Sequence, residues 1–335
     1  MQKKNKLRNA TITAVGMYVP PKVLDNKYFE QIVDTNDEWI VSRTGIKERR
    51  ILEDGATSDL AARACEDLFK NSNVKPEDIE VIIIPTVTPD MFFPSTACLV
   101  QEKIGAKNAW GFDLSAACSG FLFALKTGAS LIESGSYNKV LVVGADKMSS
   151  ITDYTDRNTC ILFGDAASAV LLEPAESLEY GIIDEMLFID GSGKDALYMK
   201  AGGSLNPATH ETVDKKWHYI YQDGKAVFKV AVKGMADVSY EIMQRNGLKS
   251  EDVAYLVPHQ ANLRIIDATA ERMGISKDKV MINIHKYGNT TSATIPSCLT
   301  EYYRDGKLKK GDNLILSAFG AGFTWGSIYL RWSMD

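Results

Sequence analysis

One cysteine of the sequence stands where a nucleophile would be easy to approach. Cys118 lies among the small residues Ala116, Ala117 and Ser119, between a predicted buried strand and an apolar helix. A cysteine at the start of a helix lies near unpaired backbone N–H groups and the positive end of the helix dipole, which favour the nucleophilic thiolate over the thiol. A buried structural cysteine is the commoner alternative. Other polar side chains of the sequence must decide whether Cys118 is a nucleophile or a structural cysteine.

Two polar side chains of the second half could act with this thiol. His259 directly follows a predicted strand at 254–257, and Asn289 lies in a turn before a predicted helix. Ligands of parallel α/β sheets collect at the carboxyl ends of strands, so a duplicated fold would bring the three side chains to one pocket. The alternatives are a hydrogen-bonded core histidine for His259 and a helix cap or turn position for Asn289.

A Cys-His-Asn set can serve two reactions. One is hydrolysis through an acyl-enzyme, as in papain-like proteases, and the other is decarboxylative condensation, in which the cysteine carries an acyl group. Papain-like proteases have Cys-Gly-Ser-Cys-Trp around the nucleophile, whereas this chain has Ala-Ala-Cys118-Ser-Gly-Phe. The sequence therefore favours condensation.

The elements that must position these residues follow from hydrophobic periodicity. Their order repeats loosely in two halves, residues 1–174 and 175–335, with a boundary near Pro174. Alternation of strands and helices predicts α/β layers with mostly parallel strands. A pair of strands is predicted in 160–172 around a turn at Gly164-Asp165, and 192–214 has no clear period. The other predicted strands are 9–19, 80–85, one beginning near 111, 139–145, 181–190, 254–258, 313–318 and 324–332; the predicted helices include 56–71, 95–104, 227–246, 262–273 and 292–303.

Composition limits the classes of function. The chain has 335 residues, 45% of them hydrophobic and 24% charged, and a net charge of −5, which gives no reason to expect nucleic acid or an anionic membrane as a partner. No membrane span or signal peptide is predicted. The five cysteines form no CxxC motif, no disulfide pattern and no zinc pattern, so we expect a reducing cytoplasm and no metal.

Six motifs together resemble the β-ketoacyl-acyl-carrier-protein synthase III family of condensing enzymes, which have the thiolase fold. The resemblance covers nearly the whole chain, and it implies an α/β protein of five αβαβα layers built from two duplicated halves, each with a mixed sheet. The motifs are Asp37-Glu-Trp-Ile with Arg43-Thr-Gly-Ile, Ala-Ala-Cys118-Ser-Gly-Phe, Phe163-Gly-Asp-Ala-Ala, Val-Pro-His259-Gln-Ala-Asn-Leu-Arg-Ile, Gly-Asn289-Thr and Phe319-Gly-Ala-Gly-Phe-Thr-Trp-Gly.

The resemblance implies a reaction and a role for each catalytic residue. Cys118 would accept an acyl group from acyl-CoA, with the backbone N–H groups of Cys118 and Ala321 as oxyanion hole. His259 and Asn289 would then stabilise the enolate formed when malonyl-acyl-carrier protein (malonyl-ACP) loses carbon dioxide, and Phe319 would be an apolar wall beside the carboxylate. No cofactor or metal is implied. A related ketosynthase of secondary metabolism, with a CoA-bound extender unit, is the alternative.

The resemblance also implies binding surfaces. A homodimer is expected because Phe93 matches a phenylalanine that closes the partner's acyl pocket in the family. Glu271 departs from the cation common in the family, which weakens the expected basic dock for acidic ACP. The acyl-CoA primer is not specified. The expected CoA contacts are Thr35, Trp39, Arg43, Arg157, Gly224 and Asn262; the acyl pocket is Val87, Phe93, Met148, Phe163, Leu197 and Ile220; and the ACP dock is Lys229, Lys233, Gln260, Arg264 and Arg272.

Overall fold

Residues 8–335 are described by the computed structural model of the chain, and within them thirteen strands and ten α-helices are found. The strands are β1 (Ala10–Tyr18), β2 (Lys22–Asp25), β3 (Glu48–Ile51), β4 (Val81–Pro85), β5 (Trp110–Leu114), β6 (Val140–Asp146), β7 (Ala166–Pro174), β8 (Gly181–Ile189), β9 (Leu197–Met199), β10 (Ile220–Gln222), β11 (Tyr255–Pro258), β12 (Asn313–Gly320) and β13 (Thr324–Arg331). The helices are α1 (Asn26–Glu30), α2 (Asp37–Thr44), α3 (Thr57–Lys70), α4 (Thr96–Ile104), α5 (Gly120–Glu133), α6 (His210–Asp214), α7 (Gly224–Arg245), α8 (Leu263–Met273), α9 (Ile284–Tyr287) and α10 (Thr294–Arg304).

Two mixed sheets form the frame of the molecule. The first has the order β1-β7-β6-β4-β5, in which β4 runs parallel to β5 and β6 while β7 is antiparallel to β1 and β6. The second has the order β11-β12-β13-β8, and its only parallel pair within the described residues is β11 with β12. All strands but one in each sheet run in the same direction, as the expectation of mostly parallel strands requires; the reversed strands β7 and β13 make both sheets mixed, as predicted.

The alternating directions of buried side chains along the strands separate three helix layers. In β4, Val81 and Ile83 face a core with α5, α10 and the second sheet, while Ile82 and Ile84 face α3 and α4. Helices α7 and α8 pack on the outer face of the second sheet. Strands that are covered on both faces are apolar throughout. The layers therefore follow the order helix, sheet, helix, sheet, helix. The predicted five-layered αβαβα thiolase fold is confirmed.

The predicted pair of strands in 160–172 is wrong in its first member. Only β7 is a strand, and the residues before it form turns with an isolated bridge between Phe163 and Asn289. A Cβ at Gly164 would lie 2.4 Å from the Tyr287 carbonyl oxygen, and Asp165 is buried with its carboxylate bound to Ser149. Gly164-Asp165 is thus a packed junction between segments and not an exposed hairpin turn.

The segment 192–214 gains short elements that its composition did not predict. Strand β9 pairs antiparallel with β10, and α6 follows within the excursion. Among residues 8–335 no helix is long and apolar enough to cross a membrane. The division of the chain at Pro174 remains a prediction.

Candidate active site

One cavity of about 780 Å³ collects the side chains expected to carry the chemistry. Cys118 from the first half of the chain lines it together with His259 and Asn289 from the second half. Cys118 is 8% exposed, His259 2% and Asn289 7%, so each reaches the cavity from a buried position. A thiol, an imidazole and a carboxamide therefore line the same cavity.

Cys118 sits in a tight turn that the second half of the chain holds in place. The turn comprises 117–119, directly before α5, and Ala117 has a left-handed φ of 47°. Thr324 Oγ1 donates to the Ala116 carbonyl (2.9 Å), and Ser119 Oγ donates to the Thr324 carbonyl (3.0 Å). These two bonds fix the nucleophile against the β12–β13 connection.

The end of β12 approaches the Cys118 turn closely because residue 320 is a glycine. A Cβ on Gly320 would lie 2.7 Å from the Cys118 backbone nitrogen and 3.0 Å from that of Ser119. Gly320 and the following Ala321 both line the cavity. Absence of a side chain at 320 thus leaves room in front of the Cys118 N–H group, where an oxyanion would be bound.

Burial governs the protonation of Cys118. Desolvation and, to a smaller extent, the negative charge of Asp146 raise the pKa of this thiol to about 12, although its own backbone N–H opposes the shift. The expectation that the start of the helix favours the thiolate is therefore wrong for the resting protein, because loss of water outweighs the local dipoles. The thiol must lose its proton during the reaction.

His259 is held as a neutral imidazole. Its backbone N–H donates to the Ser317 carbonyl (2.7 Å), and its Nδ1 lies 2.7 Å from Oγ1 of Thr294. Burial lowers the pKa of His259 to about 3. Its Nε2 is buried without a hydrogen-bond partner among the described residues, which leaves this atom for a substrate group.

Asn289 is oriented through its own backbone and the next turn. Its N–H donates to the Leu162 carbonyl (2.9 Å), and its carbonyl accepts from the Gly164 N–H (3.1 Å). Its Oδ1 accepts from the Thr291 N–H at 2.9 Å. Because a backbone N–H can only donate, this bond identifies the side-chain oxygen and turns Nδ2 to the remaining space as a donor.

An apolar surface that includes Phe319 also lines the cavity. Phe319 is 5% exposed and its ring centroid lies 5.0 Å from that of Phe323. Both rings pack in a cluster with residues of α7, including Ala231 and Met235. A carboxylate held against this surface would lose hydration, which disfavours the charged form.

Most of the expected CoA and acyl contacts reach the cavity, and three do not. Thr35 lies outside its lining, with a buried hydroxyl that has no partner among the described residues. Arg157 also lies outside it, with its guanidinium 5.1 Å from the Trp39 ring centroid, so an adenine could enter between them only if Arg157 moved. Phe93 also lies outside this lining and is 84% exposed; it is expected in the pocket of a second copy, which a single chain does not test. The expected residues that line the cavity are Trp39, Arg43, Gly224, Asn262, Val87, Met148, Phe163, Leu197 and Ile220.

The expected basic dock is exposed except for one residue. Lys229 and Lys233 on α7 and Arg264 and Arg272 on α8 reach solvent, and α7 packs against α8. Gln260 is fully buried. Its side-chain NH₂ donates to the carbonyls of 258 and 281, and its side-chain oxygen accepts from the N–H groups of 283 and 284. Gln260 therefore cannot contact a partner protein, and we remove it from the dock.

Sequence reasoning missed two residues that contact this machinery. Thr294 meets the imidazole of His259, and Asp146, 1% exposed, binds the turn after Asn289. A charged residue at the end of the otherwise apolar strand β6 was a signal for Asp146. Thr294 offered no signal, because threonine is ordinary near a helix start. No group of side chains that could hold a metal ion occurs in the described part of the chain.

Comparison with known proteins places the chain among condensing enzymes. A family profile described as 3-Oxoacyl-[acyl-carrier-protein (ACP)] synthase III matches residues 112–191, and one described as the C terminal of the same synthase matches 243–332. A Beta-ketoacyl-[acyl-carrier-protein] synthase III of Chlorobium chlorochromatii is 60% identical over 326 residues, 96% of this chain and 99% of that protein.

Solved structures agree with this relationship. The 3-oxoacyl-[acyl-carrier-protein] synthase III of Aquifex aeolicus superposes with a TM-score of 0.89 at 44% identity, covering 96% of this chain and 100% of that one. A priming beta-ketosynthase from the R1128 polyketide pathway has the same TM-score at 32% identity, covering 99% and 98%. The Chlorobium and Aquifex synthases are thus nearer in sequence to this chain than the polyketide enzyme is. The chain belongs to the 3-oxoacyl-[acyl-carrier-protein] synthase III family, the condensing acyltransferases that initiate fatty-acid synthesis.

Proposed function

We propose that Cys118 carries an acyl group from acyl-CoA and passes it to the enolate of malonyl-ACP. The observation that carries this proposal is the cavity in which a buried thiol, an unpartnered imidazole Nε2 and an oriented carboxamide meet. The names of the relatives, which refer to an acyl-carrier protein, support the carrier-bound extender. The product is a 3-oxoacyl-ACP.

The first half-reaction is acyl transfer. The Cys118 sulfur attacks the thioester carbonyl of acyl-CoA, a C–S bond to Cys118 forms, and the bond to the CoA sulfur breaks. The proton of the Cys118 thiol ends on the departing CoA sulfur, so the step is balanced. Backbone N–H groups of Cys118 and Ala321 stabilise the oxyanion, in the space that Gly320 leaves open.

The second half-reaction is decarboxylative condensation. The bond to the malonyl carboxylate breaks, carbon dioxide leaves, and the electron pair forms an enolate whose oxygen accepts hydrogen bonds from His259 Nε2 and Asn289 Nδ2. The enolate carbon attacks the acyl-Cys118 carbonyl, a C–C bond forms, and Cys118 departs as thiolate and takes a proton from solvent. Phe319 favours the loss of charge by excluding water from the carboxylate.

The tautomer of His259 follows from this role. Nε2 donates from a neutral ring only when Nδ1 carries no hydrogen. The Thr294 hydroxyl, 2.7 Å away, must then give its one hydrogen to Nδ1, so in this state it does not donate to the Thr291 carbonyl 3.0 Å away. The lowered pKa of His259 keeps the ring neutral at physiological pH.

The remaining assignments concern access and assembly. Trp39, Arg43, Gly224 and Asn262 line the CoA route, and the exposed cations of α7 and α8 attract acidic ACP. The loop with Phe92 and Phe93, 78% and 84% exposed, is an apolar surface for a second copy of the chain, which supports a homodimer. We further propose a cytoplasmic location, two halves that meet at Pro174, and activity without a metal or cofactor.

Separate assays of the two half-reactions test these roles. His259→Ala and Asn289→Ala should each still form acyl-Cys118 from acetyl-CoA, measured as a mass shift. Each should lose carbon dioxide release from malonyl-ACP by about 100-fold or more, since each removes a donor that acts on the developing charge. A variant that fails to acylate but releases carbon dioxide normally would show that the roles are assigned wrongly. Malonyl-CoA in place of malonyl-ACP tests the extender unit.

A further inference from the structure

A single buried carboxylate joins the two halves of the chain beside the cavity. Asp146 ends β6 and is 1% exposed. Its Oδ1 accepts from Val87 N (2.8 Å) and from the hydroxyls of Thr86 (3.0 Å) and Thr88 (3.2 Å). Its Oδ2 accepts from the Thr291 hydroxyl and from Ser292 Oγ (2.7 Å) and N (3.3 Å). Six donors from two segments thus converge on one side chain.

The second of these segments, residues 291–294, contacts both donors assigned to decarboxylation. The Thr291 N–H binds Oδ1 of Asn289, and the Thr294 hydroxyl meets Nδ1 of His259. The Thr294 backbone N–H also donates to the Thr291 carbonyl, so the two contacts belong to one turn. A displacement of this turn would move the carboxamide and the imidazole together.

The turn depends on contacts from outside itself. Thr291 has a left-handed φ of 50°, which is strained for a β-branched residue. The turn also approaches β6 so closely that a Cβ at Gly144 would lie 2.4 Å from the Ser292 carbonyl oxygen. The strand that carries Asp146 is therefore shaped to receive the turn, and the carboxylate provides the polar contacts there.

We infer that Asp146 is a positioning residue, which aligns Asn289 and His259 for decarboxylation by holding the 291–294 turn. It touches neither the reacting thiol nor either donor among the described hydrogen bonds, so it acts through Thr291 and Ser292. The inference rests on the proposed function, because it explains how the two proposed donors, Asn289 and His259, are held in position.

An ionised carboxylate suits this position better than an amide. Backbone N–H groups face both of its oxygens, from Val87 on one side and Ser292 on the other. An amide at 146 would place its NH₂ group against one of these donors in either orientation. Burial raises the pKa of Asp146, and the hydrogen bonds from Thr291, Val87 and Ser292 oppose that shift.

The test compares the half-reactions in the full-length protein and in Asp146→Asn. We expect carbon dioxide release from malonyl-ACP to fall about 100-fold, the effect of misplacing a catalytic group by roughly 1 Å. Acyl-Cys118 formation from acetyl-CoA should change less than about tenfold, since that step does not use the two donors. Alkylation of Cys118 by iodoacetamide at pH 8 should become faster, because loss of the neighbouring negative charge lowers the pKa of Cys118.

A variant that only destabilised the fold would not lower carbon dioxide release and at the same time speed the alkylation of Cys118. Asp165→Asn is the matched control, because Asp165 is also a buried carboxylate, bound by Ser149 and the Leu52 N–H. It should lower the thermal unfolding midpoint without changing the ratio of the two half-reactions. If Asp146→Asn does not fold, Thr291→Val, which removes one hydrogen bond to the carboxylate, should shift the ratio in the same direction.

Each outcome separates the inference from the proposed function. Equal losses of both half-reactions, or undiminished carbon dioxide release, in folded Asp146→Asn would overturn the inference alone. In Thr291→Val, an unchanged ratio of carbon dioxide release to acylation would also overturn the inference. Wild-type protein that takes up no acyl group would overturn the proposed function, and the inference with it.

Discussion

Substitution of Gly320 by alanine should disable acyl transfer specifically. The new Cβ would lie 2.7 Å from the Cys118 backbone nitrogen and 3.0 Å from that of Ser119. Both neighbours are backbone atoms in a turn fixed by Thr324, so they cannot move aside as a flexible side chain would. The Cβ would stand in front of the Cys118 N–H and block its hydrogen bond to the oxyanion.

The size of the effect follows from the loss of one oxyanion-hole donor. Such losses lower the rate by about 10²- to 10³-fold, or about 3 to 4 kcal/mol of transition-state stabilisation. We expect Gly320→Ala to lower the rate constant of acyl-Cys118 formation by this factor. Carbon dioxide release from malonyl-ACP should fall far less, because His259 and Asn289 are not touched by the new methyl group.

The assay follows the acyl-Cys118 mass against time with acetyl-CoA, in Gly320→Ala and in Gly203→Ala. A Cβ at Gly203 would meet nothing within 4 Å, so this control should acylate at the wild-type rate. Thermal unfolding establishes that both variants are folded. Acylation of folded Gly320→Ala at the wild-type rate would refute the assignment of the Cys118 N–H to the oxyanion hole.

Two further predictions concern pH and charge. The pKa of His259 is lowered to about 3 in the folded state, so the unfolded chain binds a proton that the folded chain does not between pH 6.5 and 3. Stability should therefore fall as the pH falls through this window, by about 1 kcal/mol between pH 6 and pH 5 from this residue. Burial also lowers the pKa of His285, which adds a loss of the same sign in both proteins. Urea unfolding should therefore show a steeper slope in the wild type than in His259→Gln; equal slopes would contradict the burial of a neutral ring. Lys229→Glu should raise KM for malonyl-ACP several-fold and leave acylation by acetyl-CoA unchanged, because it reverses one charge in the dock. The control is Lys249→Glu, which changes a lysine beyond the end of α7. Equal effects of both variants on KM would contradict the location of the dock.

Sequence patterns were sufficient for the fold and for the residues that meet in the cavity. Two-sided strands such as β4 and β6 are read from continuous apolar runs, because both faces are covered by helices. Cys118, His259 and Asn289 lie next to elements with strong periodicity, so their positions relative to strand ends could be foreseen. The family motifs added the order of the five layers.

Properties that depend on packing between distant segments were not predictable in this way. The pKa of Cys118 depends on burial and on Asp146, neither of which the local sequence around the cysteine reveals. Gln260 was expected in the ACP dock, yet it is fully buried and makes four hydrogen bonds within the chain. The turn at Gly164-Asp165 suggested a hairpin because Gly-Asp is a common turn pair, while its tertiary contacts with Tyr287 and Ser149 decide otherwise.

The most direct test of the account is the site of acylation. Purified protein is incubated with acetyl-CoA, digested and analysed by mass spectrometry, with Cys118→Ala as the control. We predict one acetyl group on Cys118 in the wild type, none on the other four cysteines, and none in the variant. Acetylation elsewhere, or none with any acyl-CoA tested while the protein still condenses substrates, would contradict the central claim that Cys118 carries the acyl group.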